Sequence, residues 1–226
     1  MRSQKKNVAM LCLFYFLSYI AFVLPYGYMQ TFLEYVGYDV VERGIILSGT
    51  AVVAIITQFF IGYLCDKYKT DKRFFNLCLI VFVLSTLVMY QVTQRNFFLH
   101  LIFISLVGGM FRTTLAVQDT WTLGTCRNNF GPIRAFGAIG WMIGSPIGAL
   151  VVEHYGYPAL GYVFAGLAVL NIVLTMFMQD AVKVEKSGGI HASNLKELLL
   201  DKKYVVVVDF PVHQCDSHGG YLYDGG

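Results

Sequence analysis

Charged residues are scarce in this chain of 226 residues. Asp, Glu, Lys and Arg make up 14% of it, whereas apolar residues make up 56% and aromatic residues 15%. A soluble domain normally carries about a quarter charged residues. A soluble fold would have to pack several helices that are hydrophobic on every side into one small core, and such helices are typical of a membrane interior. The scarcity of charge therefore predicts an integral membrane protein.

The cysteines lack the spacing of a disulfide framework. The five cysteines are odd in number and scattered, with no spacing typical of a zinc site. We interpret them as small packing residues. Four residues of types that bind metals cluster near the carboxyl terminus: His213, Cys215, Asp216 and His218. We interpret this cluster as a chance grouping rather than a metal site. No cofactor, metal or nucleic acid is expected.

Six stretches lack any charged residue: 7–33, 44–65, 74–94, 96–111, 135–152 and 155–179. A helix that crosses a bilayer needs about 20 mainly apolar residues. Five stretches qualify directly, and the fourth qualifies if Arg112 lies inside its span. The sequence thus predicts an all-α, six-helix transmembrane bundle over residues 1–180. The expected spans are 8–32, 44–65, 74–93, 97–118, 134–152 and 158–178.

The basic residues alternate between successive loops. Thirteen lie in the segments predicted on one side of the membrane and two in the segments between, leaving Arg112 and Arg134 at membrane depth. Short loops rich in Lys and Arg stay in the cytoplasm. The alternation therefore predicts a cytoplasmic amino terminus in a multi-pass protein of the cell (inner or plasma) membrane.

The last part of the chain has a different character. Residues 181–203 are polar and are predicted to form a cytoplasmic linker, with a short amphipathic helix around 194–200. An apolar segment begins at Tyr204, but Asp209 and Pro211 interrupt it. Residues 204–226 are therefore expected to be an incomplete seventh helix and a tail that does not look native. The abrupt change at Asp209 suggests a truncated or frame-disrupted gene.

A charged pattern follows the second span. It contains, in order, Gly62, Asp66, Lys67, Lys72 and Arg73. These five residues, here called the latch motif, resemble the loop signature of the major facilitator superfamily, Gly-x-x-x-Asp-(Arg/Lys)-x-Gly-x-(Arg/Lys)-(Arg/Lys). Lys69 replaces the second glycine, which is expected to weaken the turn, and the basic pair lies one residue late. The resemblance implies a conformational latch that breaks as two transporter halves rock, with the first glycine allowing close helix approach. An ordinary positive-inside loop is the alternative.

Three ionisable residues lie at membrane depth, where charges are costly and usually face a cavity or a partner. Arg112 and Asp119 share a face of the fourth span, and Arg134, Ala138 and Trp141 share a face of the fifth. Arg134 is alternatively a snorkelling residue at the interface, and Asp119 a carboxylate at a helix end. Arg112 is an alternative partner that would simply neutralise Asp119.

Two further rows of residues have helical spacing. A row of small residues predicts close helix packing about a quarter turn from Arg134; it consists of Gly140, Gly144 and Gly148. An aromatic stripe on the first span is expected to line a cavity or, in its outer members, to face lipid; it consists of Tyr15, Tyr19, Phe22 and Tyr26.

An arginine with an aromatic ring two turns away suits a sugar, because the guanidinium donates to hydroxyl pairs and the ring covers the C–H face. Residues 131–141 are similar to the fifth helix of the lactose-permease-like oligosaccharide/proton symporters, and also to related nucleoside/proton symporters. The resemblance implies that Arg134 and Trp141 contact the substrate. The family's acidic partner falls on Ala116 without gaps, and Asp119 is the nearest acid. In that group the residues that carry the proton lie in the second bundle.

The predicted function is secondary active transport, by the amino-terminal half of a transporter that couples uptake of a sugar or related small polar solute to protons. A nucleoside or drug transporter is an alternative, and so is a non-transporting membrane remnant or scaffold. An enzyme ranks last, because no helix face of the bundle carries paired carboxylates or a nucleophile–base pair. The expected partners are the lipid bilayer, a small polar solute and a second half-transporter chain.

Overall fold

The computed structural model describes residues 2–181, with side chains from residue 7 onward. These residues form helices joined by short connections, and no strand occurs among them. The predicted linker beyond residue 181, the incomplete seventh helix and the tail lie outside the described residues. The helices are α1 (Arg2–Gly27), α2 (Met29–Val36), α3 (Val40–Tyr68), α4 (Lys72–Gln91), α5 (Phe97–Cys126), a 3-10 turn (Arg127–Asn129), α6 (Phe130–Tyr155) and α7 (Tyr157–Met176).

Five segments within the described residues are long and apolar enough to cross a membrane. The first joins α1 to α2, and the fourth, Phe97–Tyr155, is 59 residues long and contains α5, the 3-10 turn and α6. A bilayer core is crossed by about 20 helical residues, so this segment is more than twice the length of one span. The all-α membrane fold is confirmed, while the count of six spans stays a prediction.

The first membrane segment is interrupted where α1 gives way to α2. Pro25 lies inside α1, which ends two residues later at Gly27. Proline has no N–H to donate and its ring crowds the preceding turn, so it disturbs the helix. The Tyr90 hydroxyl, from α4, donates to the backbone oxygens of Leu24 and Pro25 at 3.0 and 3.2 Å. These bonds satisfy carbonyl groups beside the break, which lipid cannot do.

Small residues bring α3 and α5 close together. A Cβ added at Gly108 would lie 2.6 Å from the Cβ of Thr50, so only glycine fits there. Nearby, the hydroxyl groups of Thr57 and Thr113 are 2.6 Å apart. Helix pairs in lipid are held by such packing and by hydrogen bonds between helices.

The glycine row of α6 faces α1. Its members, Gly140, Gly144 and Gly148, are all buried. A Cβ at Gly140 would meet the backbone oxygen of Phe16, and a Cβ at Gly144 would lie 3.0 Å from the Cα of Ile20. A Cβ at Gly148 would lie within 3.0 Å of the Tyr28 ring and hydroxyl. The side of α6 a quarter turn away, which carries Arg134, is thereby left for other contacts.

Candidate functional site

Asp119 of α5 is held by two neighbouring helices. The Tyr15 hydroxyl, on α1, donates to Oδ1 of Asp119 at 2.8 Å. A guanidinium nitrogen of Arg134, on α6, lies 3.6 Å from Oδ2. The side chains of Asp119 and Arg134 are 24% and 56% exposed, so a solute can reach both. The three helices together present one carboxylate oxygen to a buried hydroxyl and the other to an accessible cation.

Tyr19 lies one turn above Tyr15 and extends this surface. Its ring stacks on the Tyr15 ring with centroids 5.9 Å apart and planes 20° from parallel. A Cβ at Gly137 would lie 3.0 Å from two Tyr19 ring carbons, so the ring lies flat against α6. Tyr19 thereby fills the space between the ion pair and the middle of the bundle.

An aromatic group surrounds the middle of α5 and α6. The Tyr26 and Phe111 rings stack with centroids 4.0 Å apart. The Trp141 ring is 6.3 Å from Tyr26 and 6.0 Å from Phe111. Trp141 is half-buried, so part of its indole remains accessible. This cluster offers ring faces and edges on the same side of α6 as Arg134.

The ion pair and the aromatic cluster lie at different depths. Phe111 occupies the middle of α5, whereas Asp119 comes two turns before that helix ends at Cys126. At 1.5 Å per residue, Arg134 and Trp141 are separated by about 10 Å along α6. The aromatic cluster therefore lies near the middle of α5, and the ion pair lies nearer the end where α3 meets α4.

Two other residues expected at the site lie beside it. Ala138 is exposed between Arg134 and Trp141 on α6. Arg112 is exposed on α5. The ion pair that the structure gives Asp119 is with Arg134, so the alternative in which Arg112 neutralises Asp119 is not the arrangement seen.

The latch motif lies at the junction of α3 and α4, here called the latch end of the bundle. Asp66 and Gly62 line a cavity of about 190 Å³ together with Gln58, Ala116 and Thr120. A Cβ added at Gly62 would meet no atom within 4 Å. The close helix approach expected at Gly62 is therefore not made within the described residues. Its lack of a side chain instead leaves the cavity open beside Asp66.

Lys69 occupies the turn where the family signature has glycine. Its backbone has φ 53° and ψ 35°, the left-handed conformation that favours glycine at a helix end. The turn is thus formed with a lysine in it, and the expected weakening of its geometry is not seen. Any cost appears as backbone strain, because a Cβ is crowded in this conformation.

The two basic residues that close the motif behave differently. Arg73 is exposed. The Lys72 ammonium donates to the backbone oxygen of Met178 at 3.0 Å and lies 3.4 Å from that of Met176. Lys72 thereby bonds the last carbonyl of α7 and one carbonyl just beyond the helix, a role that the motif does not predict. Lys67 lies 5.9 and 5.8 Å from the centroids of the Tyr63 and Tyr68 rings, at the surface.

Sequence reasoning missed the role of Tyr15 and the pairing of Tyr26 with Phe111. The aromatic stripe predicted on the first span contains both tyrosines, but no pattern along the sequence indicates which helix they contact. Within residues 2–181, no group of three or more His, Cys, Asp or Glu side chains is placed to hold a metal ion.

These features define a class. Long apolar helices with an ion pair inside a membrane segment are typical of a multi-pass protein that moves a solute through its interior. The family described as the MFS_1-like family matches residues 8–210, and the chain belongs to it and to the major facilitator superfamily of transporters. The family matched is one of transporters, which favours a transporter over an enzyme.

Among solved structures, the chain is similar to a crystal structure of a point mutant of the nucleoside transporter NupG, with a TM-score of 0.72 and 15% identity. The match covers 90% of this chain and 53% of that chain. At this identity the likeness shows the fold alone. Because the match covers 53% of that chain, this chain spans about half the length of the transporter it matches. No curated protein matches its sequence.

Proposed function

We propose that the chain is the amino-terminal, six-span half of a secondary active transporter that takes up a small polar solute with a proton by alternating access. The observation that carries the proposal is the Asp119–Arg134 pair, accessible at membrane depth and 3.6 Å apart. Two opposite charges inside a membrane segment are costly, and they are retained where they serve a path or a ligand.

The pair suits a hydroxyl-bearing solute. A guanidinium donates to two oxygens at once, while a carboxylate accepts from hydroxyl groups. At 3.6 Å the two charged groups are in contact but do not form a short hydrogen bond. A solute hydroxyl group that bonds to both therefore displaces only a weak interaction. The Tyr15 hydroxyl keeps the carboxylate aimed while Arg134 changes partner.

The aromatic cluster suits the other end of the same solute. Trp141 and Tyr26 offer ring surfaces about 10 Å from Arg134 along α6. A molecule of two linked rings spans that distance, which supports a disaccharide or a nucleoside over a single small sugar. The indole stacks on a sugar's C–H face or on a base, so both substrate classes remain within the proposal. NupG is named as a nucleoside transporter.

Topology and coupling complete the proposal. The charge pattern supports six spans in the inner or plasma membrane of the cell. It also supports an amino terminus and a latch end that face the cytoplasm. A second six-helix bundle, in a longer polypeptide or in a second chain, completes the path. The proton is proposed from the family resemblance, which assigns its carriers to that second bundle.

A binding assay tests the proposal with the purified chain in detergent. A panel of disaccharides, monosaccharides and nucleosides is screened for a rise in melting temperature. A ligand at 100 times its Kd stabilises the folded state by about 2.7 kcal/mol. We expect one class to stabilise the parent chain, and Arg134→Ala and Asp119→Asn to abolish the shift.

Arg127→Ala is the matched control, because Arg127 is an exposed arginine on the 3-10 turn outside the site. It should respond to ligand as the parent chain does. Uptake of the active class by intact cells, lost in Arg134→Ala, then tests transport itself. If no sugar or nucleoside shifts the melting temperature, the chain is better described as a non-transporting membrane scaffold.

A further inference from the structure

The segment that follows α7 is bound to the latch end of the bundle. One carboxylate oxygen of Asp180 accepts the backbone N–H groups of Asp71 and Lys72, both at 3.1 Å. The other oxygen accepts the Thr70 hydroxyl. These groups belong to the connection between α3 and α4 and to the first residue of α4. An acid 108 residues away in sequence therefore bonds the start of α4.

This arrangement supplies a helix cap from outside the helix. The first N–H groups of a helix lack partners within it, and a carboxylate there is favoured both by hydrogen bonds and by the helix dipole. Asp71, at the usual capping position of α4, makes no capping bond with its own side chain. Asp180 takes that role, although it belongs to the segment after α7.

The capping is reciprocal. Lys72, the first residue of α4, donates its ammonium protons to the carbonyl of Met176, the last residue of α7, and to that of Met178 just beyond it. A cation at a helix carboxyl end is favoured for the same reasons that an anion is favoured at the amino end. The antiparallel helices α4 and α7 thus exchange caps of opposite charge.

A hydrogen bond and a packing contact also join this segment to α5. The Trp121 indole N–H, from α5, donates to the backbone oxygen of Gln179 at 3.0 Å. Ala181 is buried, and a Cβ added at Gly124 of α5 would lie 2.8 Å from its Cβ. The segment therefore contacts α4, α5 and the α3–α4 connection at once.

We propose that Asp180 is a positioning residue that fixes the α3–α4 connection beside the latch motif and makes it move with the segment after α7. The proposal rests on the proposed function, because it gives the latch motif its role in alternating access. The connection carries Lys69 and leads from Asp66 to Lys72, so a displacement of Asp180 is transmitted to both ends of the motif. A second bundle attached beyond residue 181 would then act on the latch through this carboxylate.

Thiol labelling in proteoliposomes tests the coupling without any solute. Thr120→Cys places a thiol in the cavity that Asp66 lines, and Thr120 is exposed. The labelling rate, corrected for that of the parent chain, is compared with and without Asp180→Ala. In the same samples, hydrogen exchange reports the backbone amides of residues 71–75. We expect exchange there to rise about five- to tenfold, as for a lost helix cap, and labelling at position 120 to change at least threefold.

Asp39→Ala is the matched control. Asp39 caps its own helix, α3, by accepting from the Glu42 N–H, and it lies at the other end of that helix. It should loosen the first turn of α3 and leave labelling at position 120 unchanged. Unchanged labelling in Asp180→Ala, or an equal change in Asp39→Ala, would overturn the proposal, because the carboxylate would then be only a local cap or a general stabiliser.

An uptake measurement separates this inference from the proposed function. For the solute found in the binding assay, Asp180→Ala should lower the maximal rate severalfold and leave KM unchanged, because Asp180 does not touch the Asp119–Arg134 pair. Lowered binding in the variant would contradict the inference. A parent chain that binds no solute contradicts the proposed function alone, and the labelling result then still decides whether Asp180 positions the connection.

Discussion

The hydroxyl group of Tyr15 donates a hydrogen bond of 2.8 Å to Oδ1 of Asp119, across 104 residues of sequence. Tyr15 is fully buried, whereas the other carboxylate oxygen faces an accessible arginine. The carboxylate is therefore anchored by a buried hydroxyl group through one oxygen and accessible through the other. If the pair binds a solute as proposed, this anchor holds the carboxylate in place while Arg134 changes partner.

Removing this anchor should weaken the fold most when the carboxylate is charged. Tyr15→Phe should lower the free energy of unfolding by about 1.5–3 kcal/mol, the usual contribution of a hydrogen bond to a charged group. In an Asp119→Asn background the same change should cost much less, because the charged acceptor is gone. A double-mutant cycle on melting in detergent measures the difference. Additive effects would show that the Tyr15 hydroxyl is not coupled to the charge of Asp119.

The glycine row should tolerate no side chain. At Gly140 an added methyl group meets the backbone of α1, which cannot move aside as a side chain can. Gly140→Ala should therefore destabilise the bundle by about 1–3 kcal/mol, as overpacking does.

Gly166→Ala is the control for that change, because a Cβ there meets nothing within 4 Å on α7. It should leave stability unchanged or raise it by up to about 1 kcal/mol through helix propensity. Thermal melting of both variants checks the pair. Equal effects of the two substitutions would contradict the packing described for α1 and α6.

The turn at Lys69 should be improved by glycine. Lys69→Gly removes the crowding of a left-handed Cβ, which is worth about 1–2 kcal/mol. The greater conformational entropy of glycine favours the unfolded chain by up to about 1 kcal/mol. A net gain of about 1 kcal/mol in the free energy of unfolding is expected. Gly37→Ala, at a φ of 94°, should have the opposite sign. A loss of stability in Lys69→Gly would show that contacts of the lysine outweigh its strain.

Tyr38 should make the protein sensitive to alkali. It lies outside the membrane segments, and burial raises the pKa of its hydroxyl above the ordinary value near 10. His100 donates from Nε2 to the Val92 carbonyl at 2.8 Å, so its Nδ1 accepts the Tyr38 proton at 2.9 Å. The unfolded chain ionises first. The contribution of Tyr38 to stability is therefore complete below pH of about 10 and is lost as the pH rises through the folded pKa.

Denaturation at pH 8 to 11 measures this dependence. Tyr38→Phe should be less stable than the parent chain at pH 8, because the bond to His100 is lost, and should lose less stability on going to pH 11. Tyr35→Phe, at an exposed tyrosine of α2, should follow the parent chain. A parallel loss in the Tyr38 variant and the parent would refute the assignment.

Much of the fold could be predicted because composition alone identifies membrane-spanning helices. Uncharged stretches of bilayer length predict spans whatever the neighbours are, and the latch motif indicates the superfamily, to which residues 8–210 belong. Helical spacing also placed Arg134 and Trp141 on one face of α6. The latch motif did not predict two features of its residues: Gly62 has no close neighbour within the described bundle, and the Lys72 ammonium bonds the last carbonyl of α7.

The sequence by itself determined that this protein is helical, lies in the membrane and carries ionisable residues there, because each of these follows from local composition and from the period of a single helix. The tertiary structure decided that Tyr15 and Arg134 meet at Asp119, and that Asp180 caps α4. Helical periodicity sets which residues share a face, but the rotation of each helix and its choice of neighbour depend on packing between helices far apart in sequence. The few charges inside the bundle are therefore placed by contacts between helices that no local sequence pattern predicts.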